Sequence, residues 1–443
     1  MFEHELRSCF GIDVSVIECV IERIKYRPHR NCLMGYKLKL RDRMGTRKQR
    51  LCVGIYTAEA ARDRYEKAMA RDWVASNFPA VMHLPNLNMV VWAFPNERKL
   101  PALPLFADRA QLRECMLRDV VQARWGAQWE IIDFSHNISN YFPEHSCCIN
   151  VALTLREVES RVHKTWNVIG KMRHDDAGVQ THAHMLALWR SGDCDVSYAR
   201  PLIYHGQFQV QWQERLPGVP LHSLLVSGRL TNLIVKRVAK AVAALHRSAI
   251  PTMRRFSVSD LIEELRSAQT TIANAWPNCV AALDRAVDTL IVRGGKLDGE
   301  RNGICHGDLH SNNILVGTNQ VYLLDLDDVS SGPLLADLGS FLAELIYRGC
   351  VKTQRLSAVQ PLLNSVVVAY RQAVPWSIAD DEIAWYTASA LIRERALRCV
   401  NSLKPVRGEV LDRVIVAAAA ILQAGIADQE LAGNRSDAME RAA

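Results

Sequence analysis

Residues 304–328 constrain this chain more than any other stretch. The run Ile304-Cys-His306-Gly-Asp308-Leu-His-Ser-Asn-Asn313-Ile-Leu-Val316 leads into Gly317-Thr-Asn-Gln320, then into Val321-Tyr-Leu-Leu-Asp325-Leu-Asp-Asp328. Two apolar runs about a four-residue turn predict a β-hairpin. Asn313 opens its first strand and Asp325 closes its second, and antiparallel pairing brings both to one end. An amide oxygen and a carboxylate converging there offer the hard oxygen ligands that Mg²⁺ prefers. Asp308, in the loop feeding the hairpin, can face the same space, where a lone carboxylate is suited to orient a hydroxyl or accept its proton. The alternative without chemistry is an acidic turn capped by an asparagine. His306 is read as a brace for the loop, packed and hydrogen-bonded. His310 either meets a substrate or is solvated, and Asp327 and Asp328 either support a metal from behind or form a solvated turn.

The chain has 443 residues, too many for one compact core, so two or three domains or lobes are expected. With 49% apolar and 23% charged residues it is globular rather than disordered. The net charge of +7 suits anionic ligands such as nucleotides. No Lys/Arg block with interleaved aromatics appears, so a nucleic-acid partner is not expected. Twelve cysteines include no CxxC pair, which argues against a zinc ribbon or a disulfide framework and for a reducing compartment. Met1–Phe10 carries Glu3 and Glu5 and lacks the apolar run of a secretory leader. Val414–Ala427 is broken by Gln423 and too short to span a bilayer, so it reads as a buried helix. A cytoplasmic protein without a membrane partner is expected.

A weak repeat occupies the first half. Tyr26 to Cys32 leads into the alternating segment Tyr36–Arg41, and Tyr141 to Cys147 leads into Asn150–Arg156. Each copy re-enters a strand, ending in Val53-Gly-Ile-Tyr56 or Ile169-Gly-Lys-Met172, and each is followed by a polar helical stretch, 58–72 or 177–190. Period-two alternation marks the strands; the reading is a duplicated sheet-plus-helix unit, against two unrelated hairpins that look alike by chance. Pro85–Leu105 between the copies reads as an extended crossing segment, with Trp92 and Phe94 as packing residues. From Leu221 the pattern is helical. Ile234, Val235, Val238, Ala241, Val242 and Leu245 form one buried face, and Ser259 and Asp260 are candidate caps for the next helix.

His306-x-Asp308-x4-Asn313 has the spacing of a kinase catalytic loop, and Asp325 that of the later metal aspartate. With Ala336-Asp337-Leu-Gly downstream and Ala244-Leu-His246 upstream, the chain resembles the aminoglycoside phosphotransferase and choline kinase-like family over about residues 140–400. Gly307 stands where protein kinases carry Arg, which favours small-molecule enzymes. The β-rich N-terminal addition resembles the layout of the maltokinase-type branch. The resemblance implies an α+β, bilobal protein-kinase-like fold with an extra β-rich N-terminal cap domain. The expected divisions are a cap over 1–125, itself a degenerate copy of the N-lobe sheet; an N-lobe over 126–216; a helical C-lobe over 217–428; and a tail over 429–443.

The implied activity is ATP-dependent transfer of the γ-phosphoryl group to a hydroxyl of a sugar, aminoglycoside or amino alcohol, with ATP and Mg²⁺. Asp308 would be the base, Asn313 and Asp325 the metal ligands, and His306 and Asp337 structural supports. Lys171 would hold the α/β-phosphates, and Glu214–Leu216 would be the hinge whose backbone receives adenine. Two departures stand out: no Gly-rich loop lies at Glu157–Arg161, and Thr181-His-Ala-His184 offers Lys171 no acidic partner, Asp175 and Asp176 being the nearest carboxylates. The competing class is therefore a nucleotide-binding pseudokinase or scaffold. In the first copy Ile55 is matched to Lys171, and that copy is read as a non-catalytic cap or a homodimer surface. Asp380-Asp-Glu382 either meets a cationic acceptor or caps a helix N-terminus.

Overall fold

The computed structural model describes residues 2–27, 30–74, 78–100, 102–297, 301–352, 358–400 and 406–425. The expected tail over 429–443 lies outside them. The chain divides into two compact units, one of residues 1–182 with 201–215 and one of residues 183–200 with 216–443. The class is α+β: antiparallel sheets fill the first unit, and helices with short strands fill the second.

The first unit holds two five-stranded antiparallel sheets. One comprises β1 (Ser15–Arg27), β2 (Asn31–Asp42), β3 (Gly45–Ile55), β4 (Val81–Leu84) and β5 (Met89–Ala93), in the order β1-β2-β3-β5-β4. The other has β6 (Trp129–Phe142), β7 (Ser146–Glu157) and β8 (His163–Arg173). Next in the chain, β9 (Val196–Tyr198) belongs to the second unit, and β10 (Pro201–His205) and β11 (Val210–Glu214) complete the sheet, in the order β6-β7-β8-β11-β10. The two orders are the same. A helix follows the third strand of each, Ala58–Met69 or Ala177–Ser191, and the closing pair of strands turns through a 3₁₀ segment ended by a left-handed residue, Asn88 or Gln209. The repeat read from the sequence is therefore a repeat of topology.

Pairing shifts one equivalence. Tyr26 faces Cys32 and Tyr141 faces Cys147; Cys32 in turn faces Ile55, and Cys147 faces Met172. Ile55 thus matches Met172, and the residue matching Lys171 is Gly54, not Ile55. The hairpin before the third strand differs in length between the copies, which hides the offset in a gapless comparison. At Gly54 a Cβ would stand 2.2 Å from Oη of Tyr56, whose ring covers the glycine.

Pro85–Leu105 is not an extended crossing segment. Pro85–Leu87 is the 3₁₀ turn joining β4 to β5, which closes the first sheet. β5 is buried along its whole length, so it shows no alternation to read. Trp92 and Trp212, one in each sheet, are both fully buried, each contributing about 1.5–3 kcal/mol by leaving water.

In the second unit β12 (Val219–Pro220) precedes the helices Asn232–Arg247, Val258–Ala275 and Val280–Gly294. β13 (Asn302–Cys305), the hairpin of β14 (Ile314–Val316) and β15 (Val321–Leu323), and β16 (Ser330–Pro333) follow, then helices Leu335–Val351, Gln360–Ala373, Asp380–Ala390 and Gly408–Ala424. The expected face of Asn232–Arg247 is buried except at Ile234, which is partly buried. Its successor is capped by Ser257, not Ser259. The Ser257 side chain accepts from the Asp260 N–H, and Asp260 accepts from the Ser257 N–H, a reciprocal capping box. Val414–Ala424 lies in a helix with a buried face. No helix among the described residues is long and apolar enough to cross a membrane.

Candidate active site

The loop 306–313 leaves β13, which pairs with β16, and is held at both ends by one helix. Asp337, in the first turn of Leu335–Val351, accepts the His306 N–H at 2.5 Å and the Gly307 N–H at 3.1 Å. Glu344, seven residues on and so on the same helical face, accepts the Ser311 N–H and hydroxyl, each at 2.7 Å. Both carboxylates are buried. Burial alone would raise the Asp337 carboxyl. The hydrogen bond from His246, the imidazoles of His246 and His306 and the His306 N–H outweigh it, so the group lies below its ordinary range. Glu344 is lowered in the same way, burial being outweighed by Arg395, Ser311 and Arg348. His246 bridges Asp337, at 3.2 Å, to the Tyr370 hydroxyl, at 2.6 Å. His306 is fully buried and its Nε2 lies 2.8 Å from the Leu324 carbonyl, tying the loop to the far strand of the hairpin.

Gly307 has φ +81°, and a Cβ there would stand 2.2 Å from the Asp328 carbonyl oxygen. Glycine is required at this position by conformation and by contact together. Asp328 itself pairs with Arg254.

The hairpin has the expected turn, with the Gly317 N–H donating to Gln320. Ile314 faces Leu323, and the Leu324 N–H donates to the Asn313 carbonyl at 2.8 Å. Asn313 ends a 3₁₀ turn just before β14, and Asp325 lies two residues beyond β15 in the left-handed conformation, φ +58°. Both sit at the open end of the hairpin, as pairing required. The Asn313 amide donates to the Asp308 carbonyl at 3.0 Å and to its Oδ2 at 3.4 Å. That turns the amide oxygen away from Asp308. The Asp325 carboxylate is exposed, and an amide oxygen and a carboxylate are ligand types that Mg²⁺ takes.

The Asp308 side chain is 53% exposed and lies 3.5 Å from His310 Nε2. The hydrogen bond from His310 holds the Asp308 carboxyl below its ordinary range, against its partial burial, and the same bond raises His310. The two are charged together between the lowered carboxyl and the raised imidazole. The Asp308 contribution is present above the ordinary carboxylate range and lost as pH falls through its lowered pKa. That of His310 is present below the ordinary imidazole range and lost as pH rises through its raised pKa. Replacing His310 by glutamine is therefore expected to move the acidic limb of the activity–pH profile to higher pH; an unmoved limb in the pH–rate profile would separate Asp308 from that titration.

Asp308 opens on a cavity of about 570 Å³ lined also by His310, Ser340, Arg393, Glu394 and Arg398. A π-helical turn, Leu391–Ala396, presents this wall, a distortion frequent at functional sites. Arg393 pairs with Glu264, and Glu394 receives Ser340 Oγ at 2.6 Å and lies 3.3 Å from Arg395. These residues were not singled out in the sequence, because a π-turn re-aims side chains off the 3.6-residue period. Asp380–Glu382 do not line this cavity: Glu382 accepts from the Ala379 N–H and pairs with Arg301, and Asp380 pairs with Arg371. Glu382 thus caps its helix.

Lys171 is half-buried in β8, between Cys148 and Gln211. On the helix that follows, His182 Nδ1 lies 2.8 Å from Gln211 Oε1; Asp175 is held by Arg173 at 3.0 Å, and Asp176 accepts from Gln209. Glu214 ends β11 and pairs with Arg124 at 2.7 Å. The chain passes from the first unit to the second between Arg215 and Leu216.

Residues 177–360 match a family model described as phosphotransferase enzyme family. Among solved structures, the chain is similar to a choline kinase from Cryptosporidium parvum Iowa II, at 14% identity and TM-score 0.44 over 68% of this chain and 92% of that one. It is also similar to a choline/ethanolamine kinase family protein from Mesorhizobium loti, at 12% identity and TM-score 0.45 over 70% and 95%. A third is a macrolide 2'-phosphotransferase from Brachybacterium faecium, at 14% identity and TM-score 0.40 over 67% and 97%. No curated protein matches the chain. The segment 177–360, which carries the whole cluster from His246 through Asp308 to Glu344, is the part of the chain that matches the phosphotransferase enzyme family model.

Proposed function

We propose that this protein transfers the γ-phosphoryl group of ATP to a hydroxyl of a small polar molecule seated in the cavity beside Asp308. The observation that carries this reading is the loop 306–313: two buried carboxylates hold it while Asp308 projects half-exposed into the cavity. A carboxylate kept ionised there aligns the acceptor O–H and takes its proton as the oxygen bonds to the γ-phosphorus and the bond to ADP breaks. Asn313 and Asp325 would hold Mg²⁺, which, when bound, neutralises charge on the transferred phosphate. Asn313 also fixes the Asp308 backbone and carboxylate through its amide N–H₂. His306 and Asp337 keep the loop in place. Lys171 is assigned to the α/β-phosphates, and the backbone of Glu214–Leu216 to adenine.

The test is acceptor-dependent ADP release from Mg·ATP across sugars, aminoglycosides and amino alcohols, beside thermal-shift titration with Mg·ATP. Release with any acceptor class supports transfer. Stabilisation by Mg·ATP without release on any acceptor would make the chain a nucleotide-binding scaffold instead.

A further inference from the structure

The first unit carries a second cavity that the proposed transfer does not use. It measures about 250 Å³, below the range of pockets that hold drug-sized ligands. One face of Ala58–Met69 supplies Asp63, Arg64 and Lys67; Arg71 and Trp73 follow the helix, and Arg98 closes the space. Four cations therefore surround one small volume. Lys67 is matched by Asp63 at 2.7 Å, and Arg98 by buried Glu144 at 2.7 Å. Arg64 and Arg71 have no carboxylate within ion-pair distance among the described residues. The Arg64 guanidinium is stacked 4.5 Å from the centre of the Tyr56 ring, and its Nε is buried without a hydrogen-bond partner. Arg71 is steered by its own bond to the Arg98 carbonyl at 3.2 Å.

Two oriented, unmatched guanidinium groups on one cavity repel each other unless an anion lies between them. The contrast between the sheets points the same way. Where the second sheet has Lys171, the first has Gly54 under the Tyr56 ring, and its positive charge stands on the helix side, at Arg64, Lys67 and Arg71. We infer that this cavity binds a small dianionic phosphate, either inorganic phosphate or a phosphomonoester. A monocarboxylate would match only one of the two guanidinium groups. Binding here needs no turnover, so it stands apart from the transfer reaction.

Isothermal titration of the full chain with inorganic phosphate, a hexose 6-phosphate and acetate, at fixed ionic strength, tests the site. Saturable binding of a phosphate compound is expected, with acetate at least about tenfold weaker. Which of the two phosphate probes binds tighter identifies the source. Arg64→Gln and Arg71→Gln are each expected to weaken binding by about tenfold, the worth of one charge-assisted hydrogen bond, with an unchanged thermal midpoint. Asp308→Asn should leave it intact. No saturable phosphate binding, binding indifferent to both arginine variants, or binding lost in Asp308→Asn would each overturn the inference.

Discussion

An Asp308→Asn variant is expected to keep its thermal midpoint and to lose about 10²–10⁴-fold in acceptor-dependent turnover, the usual worth of a positioned general base. The two halves of that expectation come from different observations. Stability should hold because the side chain is half-exposed and the contacts anchoring the loop belong to Asp337 and Glu344. Asparagine keeps the volume and leaves the Asp308 carbonyl in place to receive the Asn313 amide. Turnover should fall because an amide cannot take a proton at the acceptor oxygen. Nucleotide affinity, followed by thermal shift with Mg·ATP, should change little, so the loss should appear in kcat rather than in the KM for ATP. A variant that releases ADP at the parent rate on a working acceptor would remove Asp308 from the reaction. Its loss together with collapse of the thermal midpoint would assign it a structural role instead.

Local rules made the centre of this site readable. Hairpin pairing alone placed Asn313 and Asp325 at one end, whereas the conformational need for Gly307, read in the sequence only as a departure from protein kinases, showed in the structure. β2, β3, β7 and β8 of the two large sheets and the helix Asn232–Arg247 were legible from their periods. What escaped the reading depends on distance or on broken period. β5 is buried on both faces, so its run shows neither alternation nor helical spacing. Gly54 was hidden because the equivalence with Lys171 is set by pairing to Cys32 and Cys147, not by counting along the chain. Glu344 had a signal that was not used: it stands seven residues after Asp337 in a helix otherwise almost wholly apolar. A buried acid there needs a partner, and the Ser311 backbone and hydroxyl, thirty-three positions away, are that partner.

Asp337 is where the largest loss of stability is expected. Its carboxylate is buried with His246 and with the N–H groups of His306 and Gly307, and Tyr370 completes the chain of contacts through His246. Asp337→Ala would strand two backbone donors and an imidazole in the core, and removing one member of such a buried set costs about 3–5 kcal/mol. Chemical denaturation near neutral pH should report a loss of that size. Because the folded-state pKa of Asp337 is lowered, its contribution is present above the ordinary carboxylate range and lost as pH falls through the lowered value. The gap between parent and variant should therefore narrow in acid. A gap under about 1 kcal/mol, or one that does not change with pH, would show that the buried backbone donors are satisfied without this carboxylate. Asp337→Asn keeps an acceptor oxygen for one of the two N–H groups and should fall between the parent and the alanine variant. Since Asp337 touches neither the cavity nor the hairpin end, loss of turnover in the asparagine variant, measured where it is still folded, would have to pass through the position of His306 and Gly307, and so through the aim of Asp308.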